Sequence, residues 1–179
     1  VLIRRATEPS GFVNFELGVS VAQVPYVRFQ TALGTEYRLD GVRIETNKWV
    51  PLTASFGASL SSNNSQLVLY QDSVRMVKSL TTIQPVTGSQ RGFLTLGLNL
   101  IGDMDEVRIW NHQRSADQIG TLRNRSLLFG QDIAQAGSLE LQGGYLQRSL
   151  QVFNSSPSED IELSRWTIEG WFRTTQPGV

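Results

Sequence analysis

Short runs of alternating polar and apolar residues recur along almost the whole chain, and they constrain its fold more than any other feature. Each run is bounded by Gly, Asn, Ser or Pro, as in GFVNFELGV, YVRFQT, QLVLYQD and FLTLGLNL. Alternation with a period of two is typical of half-buried strands, and many short strands between turn signals indicate a sandwich or barrel. Because 179 residues are enough for one domain with a sizeable core, we expect an all-β fold.

Composition excludes several functional classes. Sixteen basic residues balance sixteen acidic ones, so no basic surplus favours nucleic acid or an anionic membrane. No run approaches the ~18 consecutive apolar residues of a membrane span, and we expect no membrane insertion. The absence of Cys excludes disulfides and thiolate metal sites. The single histidine, His112, lies in a polar turn without a nearby nucleophile motif, which argues against a Ser-His-Asp arrangement.

Residues 102–119, GDMDEVRIWNHQRSADQI, read as a strand, a tight polar turn and a short helix. In the strand, Val107 and Ile109 point to one side, which we expect to be the core, and Trp110 points to the other. Ser115 is followed three residues later by Gln118, which is a capping box and predicts a helix near 115–125.

This stretch resembles the end of a laminin G-like module of the concanavalin A-like lectin-glucanase superfamily, the LamG/pentraxin-type jelly roll. In that family a Gly, an acidic pair, VRIW or VRIY, an Asn and a Ser-started helical turn close the sandwich. NKWVPLTASF and QLVLYQD resemble two further strands of the module, although Val50-Pro51 stands where a His is common. The resemblance implies a two-sheet antiparallel jelly-roll sandwich with one short helix near 115–125.

The order of the family motifs along the chain is unusual. LELQGGY and SRWTIEGWFRT resemble the first two strands of the module, yet they follow the closing stretch. The resemblance therefore implies one jelly-roll domain in circularly permuted order, cut from a tandem-repeat protein. Its parts are the middle and end of a module at 1–128, a connection at 129–138 and opening strands at 139–179. The opening strands either close the same chain, which the long connection favours, or close a neighbouring module.

Acidic residues on one strand are the catalytic signal of relatives that cleave β-glucans, which place two Glu and an Asp at alternating positions. Here Asp103 and Asp105 share a face by alternation, but Val107 occupies the third position. Asp160 and Glu162 also share a face, again without a third member. We therefore expect a protein that is not an enzyme.

Calcium is the cofactor that the resemblance suggests, as a structural ion held by carboxylate and backbone oxygens at strand ends. Asp105 is the first candidate ligand by its position in the motif, assisted by Asp103 and Gly143. The alternative is that Asp105 accepts hydrogen bonds from backbone N–H groups while Arg108 pairs with Glu106. Apart from this structural Ca²⁺, no cofactor is expected.

Carbohydrate binding requires exposed aromatic faces, and Trp110 and Tyr145 are the predicted ligand-binding residues; other aromatic residues are expected mostly in the core. We expect a non-catalytic binding or adhesion module of a larger extracellular or cell-surface protein, recognising glycan or protein and adjoining repeats of the same chain. The alternative is a structural repeat or assembly module of a fibre, stalk or secreted multiprotein machine. A glycoside hydrolase-related domain ranks third.

Overall fold

A computed structural model describes residues 1–7, 10–58, 64–86, 92–122, 139–142, 146–149 and 165–175. Within these ranges the chain forms twelve strands and one helix. The first eight strands are β1 (Ile3–Thr7), β2 (Val13–Val19), β3 (Pro25–Gln30), β4 (Glu36–Asp40), β5 (Val50–Ala58), β6 (Asn64–Gln71), β7 (Val74–Thr81) and β8 (Gly92–Leu96). They are followed by β9 (Ile101–Trp110), α1 (Ala116–Leu122), β10 (Leu139–Gln142), β11 (Leu146–Ser149) and β12 (Trp166–Thr174).

The strands form two antiparallel sheets. Sheet one has the order β11-β8-β1-β2-β3-β4, and sheet two has the order β10-β9-β12-β5-β6-β7. The two inner faces enclose one hydrophobic core, as in a sandwich. The predicted all-β, two-sheet jelly roll with one short helix is confirmed. No helix in the described ranges is long and apolar enough to span a membrane.

A row of aromatic rings joins the two sheets through the core. Phe15 of sheet one lies 5.4 Å from Trp166 of sheet two, ring centroid to ring centroid, and Trp166 lies 6.1 Å from Phe56. Phe56 in turn meets Phe29 of sheet one edge-on at 4.9 Å. Such pairs add to the burial of large apolar surface, so these rings fix how the sheets stack.

The C-terminal strands complete sheets that are otherwise formed by residues 1–110. β10 pairs with β9, β11 pairs with β8, and β12 lies between β9 and β5. Along β12, Ile168 and Phe172 are fully buried in the core, whereas Glu169 and Trp171 point away from it. In the structure these strands therefore complete the same chain.

A β-bulge in β9 changes the expected alternation. Arg108 pairs with Glu169 and Asp105 with Trp171, so β9 uses one residue more than β12, and Glu106 has a left-handed φ of 51°. Asp103 and Asp105 share a face as expected, but the bulge turns Val107, which alternation alone would put on that face, to the other side.

Beyond the bulge, Val107 packs against the core. Ile109 shares that side because it pairs with the core residue Ile168, but it remains 39 % exposed. Both side chains therefore lie on the core side as predicted, but Val107 is only partly buried and Ile109 is exposed. Before the bulge, Met104 faces the core, and Asp103 and Asp105 face outward.

The predicted capping box begins the only helix found in the described ranges. The Ser115 N–H donates to Gln118 Oε1 at 2.9 Å, and the Gln118 N–H donates to Ser115 Oγ at 3.2 Å. These bonds satisfy N–H groups that the first turn of a helix leaves without intrahelical partners. The helix ends at Leu122, and the predicted extension to 125 lies outside the described residues.

Candidate ligand-binding face

The outer face of sheet two is covered at one end by the segment that follows β9. Thr167 Oγ1 on β12 accepts the Arg114 N–H at 2.9 Å and donates to the His112 carbonyl at 3.0 Å. Gln113 packs directly on β5, because a Cβ atom added to Gly57 would lie 2.4 Å from its side chain. This part of the sheet is therefore closed to ligands.

A buried carboxylate, Glu169, lies at the border of the covered end. Its Oε1 atom accepts from Arg114 Nη1 at 2.9 Å, Trp110 Nε1 at 3.2 Å and Arg108 Nη1 at 3.4 Å. Arg108 also donates to Glu106 Oε2 at 2.6 Å, as one of the two sequence alternatives predicted. The two guanidinium groups and two carboxylates neutralise each other locally. Because breaking such a pair leaves an uncompensated buried charge, this network holds the turn and α1 on the sheet.

Trp110, a predicted ligand-binding residue, belongs to this network. Its indole N–H is bonded to Glu169, the Arg114 guanidinium lies 4.7 Å from its ring centroid, and the His112 ring lies 5.8 Å away, edge-on. These contacts hold the half-buried ring in place. Its role in ligand binding stays a prediction. The other predicted residue, Tyr145, lies outside the described residues.

Among the described residues, the segment that closes the first end does not reach the opposite end of the same outer face. We call it the open face, and it consists of Trp49, Pro51, Asp103, Asp105, Trp171 and Arg173.

Asp103 and Arg173 form the polar centre of the open face. Arg173 donates from both Nε and Nη2 to Asp103 Oδ2 at 2.7 Å, and its guanidinium carbon lies 5.3 Å from the Trp49 ring centroid. The Asp103 side chain is only 8 % exposed, whereas that of Arg173 is 38 % exposed. The ion pair and the cation–π contact fix the guanidinium between an aromatic ring and a carboxylate.

Trp171 and Asp105 lie beside that centre. They face each other across β12 and β9, and both are half-buried. Asp105 Oδ1 accepts the Glu106 N–H at 2.7 Å, which is the backbone contact that one sequence alternative predicted. Sequence reasoning placed Trp49 and Trp171 among residues expected mostly in the core. The signal against this was the alternation of WTIEGWF, which puts Trp171 on the face opposite Ile168 and Phe172.

Two of the three predicted calcium ligands make other contacts in the structure. Asp103 is engaged by Arg173 and Asp105 by a backbone N–H, while Gly143 lies outside the described residues. Within the described ranges no group of three or more His, Asp or Glu side chains is placed to hold a metal ion. The calcium site therefore stays a prediction.

The outer face of sheet one carries a second charged cluster, which sequence reasoning missed. Glu16, with a side chain only 1 % exposed, accepts from Arg28 Nε at 2.8 Å and from the Tyr26 hydroxyl at 2.7 Å. Burial acts to raise the pKa of Glu16, but the bonds from Arg28 and Tyr26 outweigh it and hold that pKa below its ordinary value. Burial and the Glu16 charge raise the pKa of Tyr26. Glu16 and Arg28 are partners in the β2–β3 register, so the strand pairing had to be known to find them.

Comparison with known families agrees with this architecture. The family model described as the concanavalin A-like lectin/glucanases superfamily, a laminin G type, matches residues 1–120. The chain belongs to that superfamily. Its members often bind carbohydrate or protein, its laminin G-like domains are commonly extracellular, and its lectin-type domains are generally not catalytic. Comparisons with curated proteins and with solved structures give no match.

Proposed function

We propose that this superfamily member is a non-catalytic binding module that recognises glycan or protein through the open face. The observation that carries the proposal is the arrangement of two half-buried rings near the Asp103–Arg173 ion pair: Trp49 lies under the Arg173 guanidinium, and Trp171 precedes Arg173 by two residues on the same face of β12. Tyrosine and tryptophan are enriched where a surface must offer an apolar ring beside polar groups.

Each component of the open face has a counterpart in a sugar or a peptide. The aromatic rings offer apolar surface to the C–H face of a sugar or to an apolar side chain, the carboxylates accept hydrogen bonds from hydroxyl or amide groups, and Arg173 donates them. Because Arg173 is already held by Asp103 and Trp49, little side-chain entropy is lost when a ligand binds. Such preorganisation supports a site for recognition.

The bulge at Glu106 supports the non-catalytic half of the proposal. A retaining glycosidase needs two carboxyl groups about 5–5.5 Å apart on opposite sides of one bond. On β9 the third alternating position, Val107, is turned toward the core, and Glu106 is paired with Arg108. Asp103 is likewise engaged by Arg173, which donates to its Oδ2 atom from both Nε and Nη2.

An extracellular or cell-surface location and a structural calcium ion are the remaining parts of the proposal. The superfamily supports the location. For calcium, the measurement is the melting temperature of the chain with chelator and with millimolar Ca²⁺. A tight structural site raises it, since a ligand that binds only the native state adds stability, and an unchanged value excludes that site.

The decisive experiment is a glycan and peptide array, followed by affinity measurements on two matched variants. Arg173→Ala and Arg38→Ala each remove a 38 % exposed arginine that pairs with an aspartate at 2.7 Å and lies over an aromatic ring, but on different sheets. We expect Arg173→Ala to weaken binding about tenfold or more and Arg38→Ala to leave it unchanged. Equal effects, or loss of binding only in a Trp110→Ala variant, would contradict the open face as the site.

A further inference from the structure

The C-terminal strands have an unusual pattern of partners. In the described ranges, β10, β11 and β12 pair only with strands from residues 1–110 and never with one another. We call β10, β11 and β12 the arm and residues 1–122 the body. In the described ranges, every strand pairing of the arm is therefore a pairing with the body.

The body depends on the arm for its centre. β12 forms seven residue pairs with β5 and seven with β9, so its removal would expose two strand edges in the middle of sheet two. It also contributes Trp166, Ile168 and Phe172, which are fully buried in the core. Unpaired central edges and an uncovered apolar face are templates for pairing with another strand. A body without its arm would therefore be prone to associate with other chains.

The family comparison draws the same boundary. The superfamily model matches residues 1–120, which end within α1, whereas β12 begins at Trp166. Residues 123–138 join the body to the arm, and a chain of that length can span up to roughly 50 Å. That reach is comparable to the diameter expected of a compact domain of this length, so the connection permits an arm to pair with the body of a second molecule.

We propose that the arm is exchanged between two copies of this chain, each arm completing the body of the other. The contacts made are identical in both forms, since an arm pairs with the same body sequence either way. The equilibrium between closed monomer and exchanged dimer then depends on the connection and on protein concentration. Because arm and body belong to one chain, the arm is held near its own body at an effective concentration of the order of millimolar. The closed monomer therefore dominates in dilute solution, and exchange is favoured in concentrated or tethered copies.

The test uses the absence of cysteine in the natural chain. Asp103 and Arg173 are register partners on β9 and β12, and their Cα atoms are therefore close enough for a disulfide. Chains carrying Asp103→Cys are mixed with chains carrying Arg173→Cys, unfolded together, refolded at increasing concentration and oxidised. The control mixture carries Gln66→Cys and Ser79→Cys, which are register partners within the body.

We expect a disulfide-linked heterodimer in the first mixture, with a fraction that grows in proportion to concentration while the monomer dominates, and none above background in the control. Peptide mapping identifies the 103–173 linkage. If the double variant Asp103→Cys/Arg173→Cys closes its disulfide within one chain while the mixture forms no heterodimer, the proposal is overturned.

A measurement on the unmodified chain covers the case in which the variants fold poorly. After refolding at high concentration, light scattering coupled to size-exclusion chromatography should show a dimer that persists on dilution and returns to monomer after a further cycle of unfolding. A chain that stays monomeric up to about 1 mM contradicts the proposal, because that concentration equals the effective concentration of the tethered arm.

Discussion

Replacement of Glu169 by Gln tests the buried charge network most sharply. The carboxylate is only 5 % exposed, and the two guanidinium groups that it neutralises belong to side chains that are 9 % and 4 % exposed. Gln keeps the shape and one oxygen acceptor, so it removes the charge with little loss of packing. Arg108 retains Glu106 as a partner, whereas Arg114 is left without a carboxylate among the contacts of this network.

The size of the effect follows from burial. Removing one partner of a buried ion pair costs about 3–5 kcal/mol, because the remaining charge has no compensation. The oxygen that Gln keeps for the Trp110 N–H places the expected cost near the lower end, about 3 kcal/mol. For a chain of this size, each kcal/mol lowers the melting temperature by about 2–4 °C, so we expect a fall of about 6–12 °C.

Chemical denaturation of the variant and a matched control measures this cost. Glu36→Gln breaks an ion pair with Arg28 of 2.6 Å, but the Glu36 side chain is 40 % exposed, so the expected cost is at most about 1 kcal/mol. In the double variant Glu169→Gln/Arg114→Met, stability should partly recover, since no unpaired charge remains at Arg114. If Glu169→Gln costs no more than Glu36→Gln, the burial argument is wrong.

Three further predictions concern the backbone, an interior charge and the chain order. Gly102→Ala should lower the free energy of unfolding by about 3 kcal/mol or more, because the added Cβ would lie 2.0 Å from a backbone oxygen. Gly120→Ala, which adds a Cβ into open space on α1, should raise that free energy by about 0.5–1 kcal/mol, and thermal unfolding measures both. Arg5→Met should stabilise the fold by roughly 2–3 kcal/mol at pH 7, because burial lowers the Arg5 pKa to about 10 and its Nε and Nη1 atoms have no hydrogen-bond partner in the described part of the chain. The gain in stability should shrink as pH rises through about 10, where the native arginine begins to lose its proton. An Arg5→Met variant less stable than the unchanged chain at pH 7 would contradict the prediction. A permutant that starts at residue 139 and joins 179 to 1 should fold as stably as the natural order in denaturation experiments, because Val1 and Thr174 line the same cavity of about 30 Å³, and a molten product would refute the permuted arrangement.

Local signals in the sequence predicted the parts of the fold that depend on neighbouring residues. Alternation predicted the strands, and the Ser115–Gln118 spacing predicted a capping box that the structure contains. Both signals act within a few residues, where spacing alone decides geometry. The family motif of residues 102–119 added the sandwich architecture, which alternation by itself does not distinguish from a barrel.

The bulge at Glu106 was missed although the sequence contained a conflict that indicates it. Asp103, Asp105 and Val107 have the same parity, yet two are acidic and one is apolar, so a regular strand would bury charge or expose Val107. One extra residue in the left-handed region resolves this conflict by changing the phase of the strand.

Contacts between distant strands could not be predicted from spacing. Glu169 meets Arg108 and Arg114 only because β12 lies beside β9, and Glu16 meets Arg28 only in one register of β2 and β3. Register is set by how the whole apolar pattern fits the core, so a single stretch does not reveal it. For the same reason the open face, which combines three strands, was not visible as a site in the sequence.

The four tryptophan side chains allow the central claim to be tested in one measurement, since each indole N–H gives its own signal in a nitrogen–proton NMR spectrum. Trp166 lies in the core, Trp110 is bonded to Glu169, and Trp49 and Trp171 belong to the open face. Titration with a glycan or peptide selected on the array should shift the Trp49 and Trp171 signals and leave those of Trp110 and Trp166 in place. A shift of Trp110 alone, or saturable binding that moves neither Trp49 nor Trp171, would contradict the open face as the site of recognition.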